Sequence, residues 1–414
     1  MFSKILQRIR HPLVANSFYL YVSHFADYLL GLFILPFLAR ALGAEELGRI
    51  GLAQTFGIFS VLLMEFGFPL MATRKVARVK NNIRKLELFI SQVFTSKLLL
   101  IPVIIIITIM LTNIVPIFSI YPHYIIIITI GAIFQGLTPY WFFQGIEKMK
   151  KIAFSKIIFR LLGFILIIFF VNSSHDGWIV LATYSLSSFC IFLYLFINMK
   201  RIIGKFSLSS FYEGILIFKK AKYSFLITIL PSIYQNASLI LLSILINPIQ
   251  LGFYYGIARI YRGFNTLYGP IGQAFYPRIS SINYKNKDKS KKMMINFLWF
   301  MVVVGIGFLG FIFLFGDQII SFLLGKDFLP AKNVLLIYGI VLPLTAISHV
   351  LGRQWLMVLN KDKNYALTQF ISSIVSFVTI VFTISEYGIL AIPFSMIIFE
   401  LISIVLSLFF SIKK

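Results

Sequence analysis

Long apolar stretches follow one another along almost the whole chain, and they limit its fold more than any other feature. Each has about 20 residues or more, the length that an α-helix needs to cross a bilayer. The links between them are short, so they leave no room for a folded soluble domain. The sequence therefore predicts an all-α, polytopic integral membrane protein with about 12 transmembrane helices. The predicted spans are approximately 14–38, 48–72, 88–112, 119–145, 152–171, 178–199, 223–246, 250–277, 295–316, 333–358, 366–385 and 387–411.

The basic residues fall mainly on one side of this predicted topology. With the N-terminus in the cytoplasm, 29 of the 38 Lys and Arg residues lie at cytoplasmic ends of spans. Such an asymmetry is what the positive-inside rule predicts, and it places both termini in the cytoplasm. The net charge of +24 is thus a topology signal, reinforced by anionic lipid headgroups, and nucleic acid is excluded as a partner.

A basic stretch at 200–222 separates spans six and seven and predicts two six-helix lobes, 1–205 and 206–414. A shared spacing supports this division. Gly48 precedes Arg74 by 26 residues in the first lobe, and Gly252 precedes Arg278 by 26 residues in the second. Since each lobe has an even number of spans, the lobes would be parallel repeats.

Two arginines stand near the middle of the eighth predicted span, where a charge is costly. Arg259 and Arg262 interrupt an apolar, aromatic-rich run. Each costs roughly 2.5–3.5 kcal/mol to insert on translocon scales, so such residues usually face a water-filled cavity. Tyr255, Arg259 and Arg262 follow one another at intervals of four and three residues, which places them on one face of a helix.

A second stripe runs beside the arginines. Tyr254, Tyr261 and Tyr268 recur every seven residues on an adjacent face of the same helix. The planar fork of arginine binds phosphate oxygens with two hydrogen bonds, so cations beside aromatic rings suit a path for phosphate and sugar. The alternative is that each arginine pairs with a carboxylate on another helix for structural reasons.

Polar residues also mark spans one and seven. Asp27 lies in the middle of span one with Asn16 on the same face, and Gln235 lies on a polar face of span seven. These faces predict that spans one, seven and eight border a common polar cavity. The alternative is ordinary hydrogen bonding between membrane helices, which explains the hydroxyl residues on these faces better than Asp27.

Two further carboxylates are candidates for ion coupling. Glu400 lies in the middle of span twelve, and Glu65 lies about two turns from the cytoplasmic end of span two. Each could carry a coupling proton or be a buried structural partner, with Arg74 as a possible counter-ion of Glu65. Lys97 lies within about three turns of the inner interface, so we expect its long side chain to reach that interface.

Motifs for catalysis or metal binding are absent from the sequence. It has no HExxH motif, no glycine-rich phosphate loop and no His or Cys pair at metal-ligand spacing. The links predicted outside the membrane are too short to build an active site. We therefore expect a protein that is not an enzyme and that holds neither a cofactor nor a metal.

Several short motifs resemble those of bacterial O-antigen flippases of the Wzx type, in the polysaccharide-transporter branch of the MOP superfamily. The resemblance covers the whole chain, and the motif PYWFFQGIEKMK at 139–150 is more specific than the others. The remaining motifs are Arg40-Ala41-Leu42-Gly43 followed by Gly48, Phe66-Gly67-Phe68, Arg74-Lys75-Val76-Ala77, Phe275-Tyr276-Pro277-Arg278-Ile279-Ser280 and Gly325-Lys326-Asp327-Phe328.

The resemblance implies a flippase of the bacterial cytoplasmic membrane with a cationic cavity lined mainly by helices one, two, seven and eight. Its substrate would be an O-antigen repeat unit linked to undecaprenyl pyrophosphate, moved to the periplasmic leaflet by alternating access. An O-antigen polymerase and a chain-length regulator are the protein partners that it suggests. The resemblance gives cavity roles to Arg259, Arg262 and Asp27, and also to Glu65. The polar helix faces add Tyr255, Gln235 and Asn16 to the predicted cavity side chains.

Two other functions are weighed against this one. A multidrug exporter of the same superfamily often carries organic cations, so acidic residues should dominate its cavity, whereas Arg259 and Arg262 outnumber Asp27 here. A polytopic O-antigen polymerase needs a sizeable loop outside the membrane, and the links are too short for one. The flippase is therefore the favoured prediction.

Overall fold

The structure is a computed structural model that describes residues 12–412. Every secondary-structure element in this range is a helix, which confirms the all-α class. The backbone is described throughout the range, but some side chains are not. These are the side chains of 12–29, 32, 226, 227, 230–238, 241, 244, 270, 273, 274, 277, 280, 284 and 285.

The described chain forms two compact units. The first unit contains Met1–Leu42 and Arg49–Ile233, and the second contains Gly43–Gly48 and Tyr234–Lys414. Residues 206–233 thus belong to the first unit, because the helix that starts at Phe211 packs there over its first half. The predicted lobes, 1–205 and 206–414, stay a prediction.

Nine helices begin between residues 12 and 233, the part of the first 233 residues that the structure describes. They are α1 (Pro12–Glu65), α2 (Phe68–Val79), α3 (Ile83–Ile114), α4 (Pro116–Ile120), α5 (Pro122–Leu137), α6 (Tyr140–Gly145), α7 (Met149–Phe170), α8 (Gly177–Ile203) and α9 (Phe211–Leu245).

The rest of the described chain continues in six α-helices and three short helices of other types. The α-helices are α10 (Pro248–Thr266), α11 (Tyr268–Lys285), α12 (Lys287–Leu323), α13 (Lys332–Ser348), α14 (Asp362–Tyr387) and α15 (Ala391–Ile412). The others are 3₁₀ turns at Lys326–Ala331 and Gly388–Leu390 and a π-helix at His349–Leu356.

Eight helical stretches of the described residues are long and apolar enough to cross a membrane. The longest, Asp362–Ile412, has 51 residues and contains both α14 and α15. At a rise of about 1.5 Å per residue it would measure about 77 Å, more than twice the hydrocarbon core of about 30 Å. Such a stretch therefore accounts for two predicted spans. The chain is a multi-pass membrane protein, and the number of twelve spans stays a prediction.

Glycines mark the breaks between the first spans. Gly43 lies inside α1 with φ 74° and ψ 179°, at the join between predicted spans one and two. Gly67 precedes α2 with φ 73°, and a Cβ there would lie 2.6 Å from the carbonyl carbon of Ser224. Only glycine adopts such a backbone conformation without strain, so these positions fix where the helices end.

The motif at 139–150 builds the core of the first unit. Trp141, Phe142 and Phe143 are buried, and they belong to the same core cluster as Phe68 of α2. Nearby, Glu147 adopts φ 59° and pairs with Lys80 at 2.8 Å, which ties the turn after α6 to the end of α2. The role of this motif in the fold is therefore packing and a sharp turn.

Candidate functional site

The two central arginines lie on α10, in the second unit. The helix begins at Pro248 with Asn247 as its N-cap, whose side chain accepts a hydrogen bond from the Gln250 backbone at 2.9 Å. Arg259 and Arg262 follow about 16 Å and 21 Å along the helix axis. If Pro248 marks one interface, both arginines lie within the hydrocarbon core of about 30 Å, as the sequence predicts.

The surroundings of the two arginines differ. The Arg259 guanidinium lies over the Tyr255 ring at 4.8 Å, and both residues also make further contacts. Arg262 is exposed, and within the described residues it forms no ion pair or hydrogen bond through its side chain. The alternative role as a structural ion pair therefore finds no support at Arg262 among these residues. Its side chain is accessible, as an anion-binding side chain requires, and it interacts electrostatically with Tyr338.

The predicted eighth span is interrupted after Arg262, at Leu267. The predicted eighth span divides into α10, which ends at Thr266, and α11, which starts at Tyr268. Pro270 lies in the first turn of α11, where a missing backbone N–H leaves no helical hydrogen bond unmade. Helix α10 is not among the eight apolar stretches of the described chain, because its arginines and amides lower its hydropathy.

The second tyrosine stripe does not line a path. Tyr254, Tyr261 and Tyr268 are all buried inside the second unit, at 5%, 3% and 1% exposure. The ring of Tyr261 stacks on Tyr338 of α13 at 4.4 Å, and the Tyr268 hydroxyl donates to the Leu342 carbonyl at 3.1 Å. The expectation that this stripe contacts sugars is wrong, because a period of seven also describes the packing face of a helix.

Three predicted cavity residues cannot be placed. The side chains of Asp27, Asn16 and Gln235 lie outside the described residues. Their roles, including Asp27 as a partner of the arginines, stay predictions.

Glu400 lies in a polar cluster within the second unit. Its carboxylate is 5% exposed and accepts hydrogen bonds from the hydroxyls of Thr345, at 2.8 Å, and Ser348. Tyr268 and Tyr365 also interact with it electrostatically. The helix α13 presents both hydroxyls on one face, three residues apart, which is why they reach the same carboxylate.

Several buried polar atoms of α14, α15 and the π-helix have no hydrogen-bond partner among the described residues. They include the hydroxyl groups of Thr368, Ser372 and Ser407, Nδ1 of His349 and Oε1 of Gln354. The latter two lie on the π-helix that follows α13. π-Helical turns are frequent at functional sites, and unpaired buried polar atoms are costly, so this region has spare capacity for a proton or a cation. The sequence shows neither feature, since both depend on backbone geometry.

Glu65 and Lys97 form a second buried pair of charges, in the first unit. Glu65 interacts electrostatically with Lys97 and Lys156 rather than with Arg74. Lys97 is 1% exposed, donates to the Gly136 carbonyl in the last turn of α5 and lies 5.7 Å from the Phe68 ring. The expectation that Lys97 reaches the interface is wrong. Its ammonium instead satisfies a free carbonyl at a helix C-terminus, where the helix dipole favours a cation.

These groups suit binding and transport rather than bond-making chemistry. Among the described residues, no three His, Cys, Asp or Glu side chains are arranged to hold a metal ion. The arginines can bind an anion, and the Glu400 cluster can exchange a proton or hold a monovalent cation.

Comparisons with known proteins identify the family of this chain. A family model described as polysaccharide biosynthesis protein matches residues 13–283. A protein of Escherichia coli strain K12 named "Putative O-antigen transporter" is 29% identical over 362 residues, 85% of each chain. A protein of the same name from Shigella dysenteriae is 27% identical over 96% of this chain and 98% of its own length.

Solved structures of similar fold are membrane transporters. The lipid II flippase MurJ in an inward closed conformation has a TM-score of 0.71 and 16% identity, covering 95% of this chain and 87% of its own. An outward-facing multidrug resistance MATE family transporter of the MOP superfamily has a TM-score of 0.53 and 15% identity, covering 97% and 94%. At these identities the likeness shows the fold.

Proposed function

Because this chain belongs to the polysaccharide biosynthesis protein family, we propose that it is a flippase for lipid-linked O-antigen repeat units. Its substrate is an oligosaccharide on undecaprenyl pyrophosphate, moved from the cytoplasmic to the periplasmic leaflet. The names of the Escherichia coli and Shigella relatives and the MurJ-like fold support a transporter rather than an enzyme. The proposed location is the bacterial cytoplasmic membrane, with both termini in the cytoplasm.

The observation that carries this proposal is the arginine pair on α10. Arg259 and Arg262 lie on one helix face, which the sequence predicts at membrane depth, and the Arg262 side chain is exposed. A pyrophosphate has enough oxygens to engage two guanidinium groups, each through two hydrogen bonds. The arginines thereby replace the water that the pyrophosphate loses inside the membrane. Tyr255 holds the Arg259 guanidinium from below.

The remaining cavity residues have narrower proposed roles. Asp27 weakens the binding of the pyrophosphate to the arginines, so that the pyrophosphate is released. Asn16 and Gln235 form hydrogen bonds with sugar hydroxyls. Alternating access exposes these groups to each leaflet in turn. The lipid tail stays in the bilayer, and an O-antigen polymerase and chain-length regulator take up the product.

For ion coupling, the structure favours Glu400 over Glu65. Two cations, Lys97 and Lys156, interact electrostatically with Glu65 and offset part of the cost of burying its charge. The direct partners of Glu400 are the hydroxyls of Thr345 and Ser348, which can reorient as the carboxylate gains or loses a proton or cation. We therefore assign Glu400 the coupling role and Glu65 a structural one.

Complementation tests the function. In a strain that lacks this gene, lipid-linked repeat units should accumulate inside and surface O-antigen should disappear, and the wild-type gene should restore the surface polysaccharide. If repeat units reached the outer leaflet without the gene, the proposal would be wrong. Susceptibility to cationic drugs is measured in parallel, because a change there without loss of O-antigen would identify a multidrug exporter.

The arginine pair is tested with a matched control. The double variant Arg259→Gln/Arg262→Gln should abolish surface O-antigen at normal protein level. The control Lys291→Gln/Lys292→Gln removes the same charge from exposed positions near the start of α12, and it should retain the O-antigen. Equal O-antigen from both variants would remove the arginines from the mechanism.

A further inference from the structure

A basic cavity of about 640 Å³ lies within the first unit, apart from α10. It is bordered by the C-terminal half of α2, the first three turns of α3 and the first half of α9. Five of its lining residues are cationic, namely Arg74, Lys75, Arg78, Lys85 and Lys220. The volume falls in the range of about 300–1,000 Å³ that is usual for pockets that bind small ligands.

The fold, and not the sequence alone, brings these cations together. Helix α2 buries Phe68, Ala72 and Val76, which recur every four residues, so its opposite face carries Arg74 and Arg78 outward. Lys85 lies in the first turn of α3, which follows α2 after a turn of three residues. Lys220 comes from α9, more than 130 residues later in the chain. The three helices converge because Phe66 stacks on Phe225 at 4.3 Å and Gly67 permits close backbone approach.

The positive charge of the cavity is uncompensated within the described chain. None of the five cations forms an ion pair among the described residues, and no acidic side chain lines the cavity. The neighbouring acid Glu147 is already paired with Lys80, which does not line the cavity. Like charges held this close repel one another, so the cavity is stabilised when an anion enters it.

The cavity also has apolar lining residues beside its cations. Met71, Val79 and Phe89 line it, and Leu88 is 61% exposed at its edge. A free inorganic anion gains no binding energy from apolar side chains. A lipid, in contrast, places its phosphate on cations and its chain on apolar side chains. These cations also belong to the charges that the topology places at the cytoplasmic surface.

We infer that this cavity binds the phosphate head of a membrane lipid at the cytoplasmic surface. The charge balance favours a lipid diphosphate over a phospholipid, because five cations suit two phosphates better than a single monoanionic phosphodiester. The cavity would then capture the head group of the substrate before it reaches Arg259 and Arg262. In this form the inference rests on the proposed flippase function.

Lipid binding to the purified full chain in detergent tests this inference. The ligands are a polyprenyl diphosphate, phosphatidylglycerol, phosphatidylethanolamine and inorganic pyrophosphate. The variant Arg74→Gln/Arg78→Gln/Lys220→Gln is compared with Arg84→Gln/Lys205→Gln/Lys219→Gln, which removes three exposed charges that do not line the cavity. Because each basic residue near an anionic lipid strengthens binding about fivefold, the cavity variant should bind about 100-fold more weakly. The control should lose about threefold or less, since surface pairs are weak.

Each outcome of the binding measurement either supports the lipid site or overturns it. Selective loss for polyprenyl diphosphate supports the site as a capture point, and selective loss for phosphatidylglycerol assigns it to a phospholipid. Equal loss in both variants, or tight binding of inorganic pyrophosphate alone, overturns the lipid site. Since binding is measured without transport, a chain that binds but does not restore O-antigen would refute the proposed function and leave this site standing.

A second measurement avoids any variant that fails to fold. A photoreactive polyprenyl diphosphate is cross-linked to the wild-type chain, and the modified peptides are identified by mass spectrometry. Cross-links within 71–92 and 220–224 are expected. Cross-links confined to α10 would overturn the inference.

Discussion

Two backbone segments of the second unit cross so closely that only glycine fits between them. Gly48 lies four residues after Ala44, so both present small side chains on one helix face. Gly252 of α10 faces them. A Cβ on Gly252 would collide with the Ala44 carbonyl, and one on Gly48 would lie 2.8 Å from the Gly252 nitrogen. Such small-residue crossings let membrane helices approach closely.

We predict that Gly252→Ala destabilises the protein although alanine is the better helix former. In open space the substitution would stabilise a helix by about 1 kcal/mol. Here the new methyl group meets backbone atoms that cannot rotate away, and overpacking of this kind costs about 1–3 kcal/mol. A net loss of about 1 kcal/mol lowers the melting temperature by about 2–4 °C for a unit of this size.

The same helix offers a control. Gly263 has no atom within 4 Å of a Cβ built on it, so Gly263→Ala should raise the melting temperature by about 2–4 °C. Both variants are heated in detergent as fluorescent fusions, and the remaining folded fraction is measured by size-exclusion chromatography. If the two substitutions shifted the melting temperature in the same direction, the close crossing at Gly252 would be refuted.

Three further predictions use the same unfolding measurement. Gly67→Ala should cost about 1–2 kcal/mol from its left-handed backbone alone, and more from its contact with Phe225; a neutral result would contradict the break before α2. Lys97→Met should cost about 1–3 kcal/mol because it leaves the Gly136 carbonyl without its donor, and adding Glu65→Gln should restore part of the loss; strict additivity would exclude their coupling. Hydrogen bonds from Asn172 and Ser173 lower the pKa of Asp176, so its contribution is present above pH of about 4 and is lost as pH falls through the lowered pKa. The melting temperature of Asp176→Ala should therefore approach that of the wild type in acid, and a constant difference at all pH values would refute this.

The sequence was most informative about the features that the surrounding lipid bilayer imposes on the chain. A bilayer requires apolar, helical spans and penalises isolated charges, so the helical class was readable from hydropathy. The same reasoning predicts that Arg259, Arg262 and Glu400 lie at membrane depth. The helix face shared by Tyr255 and the arginines was also readable, because it depends only on helical period.

Periodicity could not decide which face is buried. A seven-residue period fits both a helix face that lines a cavity and a helix face that packs on another helix. Only the burial of Tyr254, Tyr261 and Tyr268 and the contact with Tyr338 show that this stripe is a packing face. For Lys97, the sequence showed only that the side chain is long enough to reach the membrane interface. Its burial against Gly136 depends on where α5 ends in space, and no local pattern records that.

The sequence alone determined that this chain is a helical membrane protein, because burial in lipid acts on each residue according to its own hydropathy. Only the tertiary structure decided which distant residues meet. It gave Glu400 its hydroxyl partners from α13, and it assembled a cavity from cations of α2, α3 and α9. Such meetings depend on helix ends, close glycine contacts and packing between segments far apart in the chain, which no single stretch of sequence encodes.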